Sequence, residues 1–488
     1  MLFNSLQFLC FFPVVIGLYY SLPHKFRWGL LLVASYYFYM SWRPEYIILI
    51  IISTCIDYYA SIKMGQLENK KDRSKYLYLS VLSNLGLLFT FKYYNFFSSM
   101  VNPLFSSIGE GMVLPRFNLL LPMGISFYTF QTLSYSIDVY NGKIEPEHNF
   151  GKFALFVSFF PQLVAGPIER SERLLPQFSK VIHFDYNRSV SGLRRMGWGF
   201  FKKLVIADRL AILVNTVYSN PTQYNGITLL VATIFFTFQI YCDFSGYSDI
   251  AIGTARVLGF DLMENFKRPY FSKSISEFWR RWHISLSSWF RDYVYIPLGG
   301  KRVALPRYYF NLVVTFLISG LWHGANWTFV AWGALHGLYL VLEVVLQEMN
   351  KRIINQFRIN TASTKFKILC VGKTFTLTVL AWIFFRANTM TDAIYIIKNI
   401  ILDLPQILNP KYVFSSISGL GLNKFEFTVA VFSILIMECV HMMQRRDNLT
   451  IRFDSSPAVV RWSVYYAAMM YLIFFAMTSS QEFIYFQF

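Results

Sequence analysis

The chain has 488 residues, 55% hydrophobic and 19% aromatic but only 15% charged, against about 25% charged in soluble globular proteins. Its 45 Lys and Arg against 27 Asp and Glu give a net charge of +18, which in a soluble chain would suggest nucleic acid. Here the basic residues cluster in short connectors between apolar runs, so the composition excludes a soluble nucleic-acid binder and describes an all-α, multi-pass membrane protein.

The first apolar run, 1–22, has no basic leader and no small-residue cleavage site, and reads as a first span, not a removable signal. Further runs at 46–62, 227–241, 368–385 and 427–441 approach or reach the roughly 17–25 residues a crossing needs. His24-Lys25-Phe26-Arg27 and Lys70-Lys71-Asp72-Arg73-Ser74-Lys75 are separated by two apolar segments, 28–42 and 44–63. The positive-inside pattern puts both clusters in the cytoplasm, the N-terminus outside and the connector near 106–112 outside. The basic connectors, Lys351-Arg352 among them, serve topology and lipid attraction first, and can also steer a polyanionic donor.

The whole chain, 1–488, reads as one integral-membrane domain without a soluble module. N-terminal spans occupy 1–110, a core at 117–346 carries nearly all the unusual polar words, and C-terminal spans occupy 367–488. About 10–13 helices fit this pattern. The segment 403–424 is the longest loop candidate in the last third. The five cysteines, Cys10, Cys55, Cys242, Cys370 and Cys439, are scattered in apolar stretches and read as packing residues, with no disulfide or zinc spacing.

Within the core, Gln239–Asp249 embeds Asp243, Ser245, Tyr247 and Asp249 in an apolar run. Carboxylates are costly against lipid, so these face a cavity or a buried partner such as Arg256; lining a polar path and bracing a helix pair both fit. Ser274-Ile275-Ser276-Glu277 has capping-box form and starts a helix. Phe278, Trp282, Leu286, Trp289 and Tyr293 then repeat at steps of three and four, with Arg280, Arg281, Ser288, Arg291 and Asp292 mostly opposite. That pattern describes an amphipathic helix in the interface plane, either a simple anchor or, with Trp279, Arg280, Arg281, Trp282 and His283 crowded into two turns, part of a site. Pro297-Leu298-Gly299-Gly300 breaks it.

Ser319–Trp327 places His323 between Trp322 and Gly324 in a long apolar stretch. An ionisable group there is a functional candidate, although a satisfied core histidine fits the residue type alone. His336, beside Gly337 and near Tyr339, reads as a packed or hydrogen-bonded histidine. On one straight helix His323 and His336 would stand about 20 Å apart, so no shared metal is expected. There is no Gly-x-Ser-x-Gly elbow, Walker loop or His-Glu-x-x-His motif.

The words 122–131, 159–168, 243–248, Phe278-Trp279-Arg280-Arg281-Trp282-His283, Leu321-Trp322-His323-Gly324, Phe384-Phe385-Arg386-Ala387 and 483–488 together resemble the membrane-bound O-acyltransferase (MBOAT) family. The match runs nearly end to end and is closest to the bacterial members that O-acetylate alginate. The resemblance implies a ring of helices around a tunnel between a cytoplasmic donor mouth and an outer acceptor funnel. It implies His323 as the catalytic histidine, with His283 as a second, supporting one.

The expected chemistry is acyl transfer from a thioester. A desolvated imidazole, with an ordinary pKa near 6.5, stays neutral and can accept a proton. His323 then takes the proton of the attacking hydroxyl and returns it to the thiolate. Trp322 and Asn326 are candidate orienting or oxyanion groups, Asn326 being placed about one turn from His323 on the same helical face. Acetyl-CoA is the implied donor, with a carrier-bound thioester as a variant, and no metal is called for. The implied setting is the bacterial inner membrane, with membrane lipid, a polysaccharide acceptor and a separate extracytoplasmic acetyltransferase as partners. D-alanyl or other acyl transfer to teichoic acid or peptidoglycan is the alternative within the class. A polysaccharide or lipid transporter, or a non-catalytic scaffold, is the alternative outside it.

Overall fold

The computed structural model describes residues 1–106, 113–417, 420–446, 449–477 and 483–486; they are helical, with no strand among them. The connector expected outside at 106–112 and the last two residues of the 483–488 word fall almost wholly beyond the described residues. The first third contains α1 (Leu6–Ser21), α2 (His24–Met40), α3 (Ile47–Gly65), α4 (Lys70–Leu88), α5 (Tyr94–Ser106), α6 (Ile125–Tyr140) and α7 (Phe150–Ser158). A single π turn, Phe89–Tyr93, joins α4 to α5.

The middle third contains α8 (Ser171–Leu174), α9 (Tyr186–Phe200), α10 (Asp208–Ser219), α11 (Gly226–Leu258), α12 (Ile275–Trp279), α13 (Ile284–Phe290) and α14 (Leu305–His323). The rest contains α15 (Trp327–Val345), α16 (Gln347–Gln356), α17 (Thr364–Arg386), α18 (Met390–Asp403), α19 (Pro410–Ile417), α20 (Lys424–Arg446), α21 (Leu449–Asp454) and α22 (Ala458–Phe475). The starts are chemically marked. Ser5, Asn69, Asn149, Asp185, Asn225 and Ser363 each accept a backbone N–H of the first turn of their helix.

Among the described residues six helices are long and apolar enough to cross a membrane: Pro44–Gly65, Gly226–Leu258, Trp327–Val345, Thr364–Arg386, Lys424–Arg445 and Ala458–Phe475. At 33 residues α11 is about 50 Å long, well beyond a hydrocarbon core of about 30 Å. It is the most buried of the six, whereas α22 has no fully buried residue and packs on the second core only through Tyr471, Leu472 and Phe475 near its end.

Several motif words prove to be mutual packing surfaces. Gly124, at φ 74°, starts α6 where a Cβ would stand 2.6 Å from Leu163 O, so the 122–131 and 159–168 words are fitted to each other. Gln131 and Gln162 both donate from Nε2 to Phe156 O. Farther out, Asp57 of α3 accepts from Ser80 Oγ and from Asn84 Nδ2 of α4, and Thr132 of α6 donates to Asn84 Oδ1, which ties three helices together away from lipid.

Two expectations are corrected. The proposed single helix after Ser274 is broken: α12 ends at Trp279, His283 takes a left-handed backbone (φ 42°), and α13 starts anew before a π turn at Arg291–Tyr295. Ser274 does accept from Glu277 N, but the Glu277 carboxylate bonds Lys273 N, one residue before the capping-box position. The 403–424 segment is also structured. It holds a 3₁₀ turn, Leu404–Leu408, and then α19, with Asp403 Oδ2 accepting from both Tyr412 OH and Gly226 N.

Candidate functional site

Two aromatic cores meet at His323. Its neighbour Trp322 belongs to the core built on the first half of the chain, while Phe329, Trp332 and Phe385 belong to the core built on the second. The meeting point exists because the α14–α15 hairpin turns sharply. Gly320 of α14 lies against Phe329 O, which a Cβ would approach to 2.3 Å, and Gly333 of α15 lies against Phe316 O in the same way. Between the helices, Gly324 and Asn326 are extended.

This turn revises the role expected for Asn326. His323 and Asn326 are not on one helical face: His323 ends α14, whereas Asn326 caps α15 through Thr328 N and donates from Nδ2 to Asn388 O. The same turn removes the straight-helix separation of His323 and His336. Both rings pack on Trp332, at 5.0 Å and 4.9 Å between centroids.

The His323 ring is 4% exposed, and its Nδ1 is buried with no hydrogen bond to protein. It is enclosed by Trp322 at 4.9 Å, Phe385 at 5.2 Å and Tyr485 at 5.7 Å. A cavity of about 250 Å³ runs along it, with Trp42, Lys92, Ser126, Phe127, Trp322 and Tyr485 among its lining residues. Imidazole in the wall of a cavity can exchange a proton with whatever occupies that space.

His283 is fully buried one ring layer away, 6.2 Å from Trp322 and 6.4 Å from Tyr485. Its Nδ1 lies 3.0 Å from Asn265 Oδ1, and Nε2 is buried without a protein partner. Trp279 turns elsewhere, donating from Nε1 to His336 Nδ1 at 3.2 Å, so His336 is hydrogen-bonded as its residue type suggests. Trp282 packs on Trp382 and Phe278 in the second core. Arg281 pairs with Glu277 at 2.5 Å, while Arg280 is exposed.

The 239–249 word is a brace. Gly246 and Gly253 of α11 meet Gly199 and Gly192 of α9 backbone to backbone, each added Cβ falling within 3 Å of a carbonyl. At that range Arg195 and Lys202 reach Asp249, at 2.9 and 2.5 Å, and Lys203 reaches Asp243 at 2.8 Å. Lys202 also donates to Ser245 Oγ. The expected partner, Arg256, bonds Ser191 instead, because its own helix carries it two turns from Asp249 while α9 and the π turn that follows it present cations directly opposite. Tyr247 packs between Phe3 and Phe483. Asp243 Oδ2 additionally accepts from Ile484 N, and this bond carries Tyr485 to the His323 ring.

Lys92, Tyr93, Asn265, Arg195, Lys202 and Lys203 went unnoticed in the sequence. Only Lys92 left a signal, as the single cation in the aromatic run Phe89–Phe97.

Residues 145–383 match the family described as MBOAT, membrane-bound O-acyltransferase. The chain is 43% identical over 393 residues to a probable alginate O-acetylase of Pseudomonas syringae pv. tomato, covering 80% of this chain and 73% of that protein. It is 36% identical over 397 residues to a peptidoglycan O-acetyltransferase of Helicobacter pylori, covering 76% and 73%. A teichoic acid D-alanyltransferase of Streptococcus thermophilus is 31% identical over 239 residues, 46% of this chain and 57% of that protein. The all-helical fold, the histidine at the broken α14–α15 turn and these relatives agree: the chain belongs to the membrane-bound O-acyltransferase family and is an O-acyltransferase.

Proposed function

We propose that this protein transfers acetyl groups from a cytoplasmic thioester, acetyl-CoA, to a hydroxyl presented from the outer side of a bacterial inner membrane, for O-acetylation of an extracellular or cell-wall polysaccharide. The hydroxyl oxygen attacks the thioester carbonyl and the C–S bond breaks. The hydroxyl proton passes through His323 to the departing sulfur. His283 supports from the next aromatic layer. The observation that carries this reading is the His323 ring in a cavity wall at the seam of two cores.

Orientation supports the two-sided reading. Trp42, at the end of α2, and Lys92, at the end of α4, line the cavity, and both lie at the far ends of helices that start in the basic connectors His24–Arg27 and Lys70–Lys75. With those connectors cytoplasmic, the N-terminus is outside and the cavity faces outward. The exposed Arg280 suits a polyanionic cofactor. The acetyl group is favoured over D-alanine because the relatives named for O-acetylation align over more of the chain than the D-alanyltransferases. Such a path, with the acceptor polymer outside, calls for a separate extracytoplasmic acetyltransferase.

The test is polymer-bound acetate in cells carrying His323→Ala, with polymer export followed in parallel. Acetate should vanish while protein level and export persist. Retained acetate rules out the base assignment, and lost export with intact protein favours a transporter.

A further inference from the structure

Helix α14 stops at His323, so its last carbonyls have no partners within the helix. Three consecutive ones are instead satisfied from across the molecule. Lys92 Nζ donates to Trp322 O at 2.8 Å and to His323 O at 2.9 Å, and Tyr93 OH donates to Leu321 O at 2.9 Å. Both side chains come from the π turn Phe89–Tyr93, a local widening of the helix of a kind found at functional sites.

Charge sharpens the case. Among the described residues Lys92 is the one charged side chain besides the His323 imidazole, if protonated, in the wall of the cavity, and it donates to carbonyl oxygens. An ammonium among aromatic rings is expensive to bury, yet this one is set against the negative end of the α14 dipole and on the backbone of the histidine itself.

We infer that Lys92 is a positioning residue for acyl transfer: with Tyr93 as a second tie, it holds the last turn of α14 so that the His323 imidazole stays in the cavity wall. The ring is packed by the second half of the chain, whereas its backbone is tied by the first. The inference rests on His323 being the base.

Purified protein in liposomes, assayed for turnover of labelled acetyl-CoA, tests it with Lys92→Met, Lys92→Arg, Tyr93→Phe and His323→Ala. Lys92→Met should lower kcat by about 10²-fold, the cost of a roughly 1 Å misplacement, and leave the acetyl-CoA KM within about twofold. Its melting temperature should stay near that of the parent. Lys92→Arg should recover most of the turnover, since a guanidinium can donate to both carbonyls, and Tyr93→Phe should cost less than Lys92→Met. Parental kcat in Lys92→Met overturns the inference. So does a loss that Arg does not restore and that tracks a fall in melting temperature, which would make Lys92 a brace. If His323→Ala itself keeps turnover, it is the proposed base that fails. If His323→Ala is dead and Lys92→Met is fully active, only the positioning role falls.

Discussion

His283 occupies a backbone conformation that costs a non-glycine residue about 1–3 kcal/mol, and the grip of Asn265 explains why it persists. Asn265 Oδ1 accepts from Ser285 N, an unambiguous donor, and from Ser285 Oγ, while its Nδ2 donates to Ser248. That orientation makes His283 Nδ1 the donor and leaves the Nε2 lone pair turned into the core. The two arginines beside it differ in the same concrete way. Arg281 is tied to Glu277 and its carbonyl accepts from Lys267 N, whereas Arg280 is exposed. Arg280→Gln should therefore raise the acetyl-CoA KM several-fold and leave kcat nearly unchanged, with a smaller effect from Arg281→Gln, read from donor titrations at two salt concentrations. Equal donor affinity and equal salt dependence in both variants would assign this face to lipid headgroups. His323 was legible as a candidate through the Trp-His-Gly word and the family resemblance that includes it, since the residue type alone also fits a satisfied core histidine. Lys92 was not, since one cation near a helix end looks like a snorkelling side chain until the opposite carbonyls are known.

At the level of elements, the crossing of α9 and α11 decides what the 239–249 word means. Glycine at four contact points lets two backbones touch, and the short separation turns Asp243 and Asp249 into counter-ions of Arg195 on α9 and of Lys202 and Lys203 in the π turn that follows it, Phe201–Ala207. Sequence alone offered Arg256 because it is near in the chain. The crossing that supplies better partners depends on which glycines face each other. Gly246→Val should push α9 away, costing about 1–3 kcal/mol and lowering the melting temperature in detergent. Gly197→Val is the control, since a Cβ there meets nothing within 4 Å. The broken 274–295 segment carries a related lesson. Its apolar stripe was readable, yet the break at His283 comes from Asn265, eighteen residues earlier, which no helical periodicity reports.

For the molecule as a whole, the recurrent apolar runs and the basic connectors made the membrane class and the helix-rich architecture readable. The meeting of two cores at one histidine was not, because it depends on contacts between the two halves of the chain. Orientation is directly testable. Single cysteines placed at 70–75 should react with impermeant reagents only from the cytoplasm, and one at Leu408, which is 86% exposed, only from outside. Reaction of both from one side would mean that an even number of crossings separates the two sites and would undo the two-sided scheme.

The bond from Ile484 to Asp243 also has a consequence for biogenesis. Residues 483–486 follow α22 in the chain, so Tyr485 reaches the His323 ring only once α22 has been made. A half-inserted chain lacks one wall of its own reaction chamber. Synthesis order thus closes the His323 cavity late, after the segments that form its other walls.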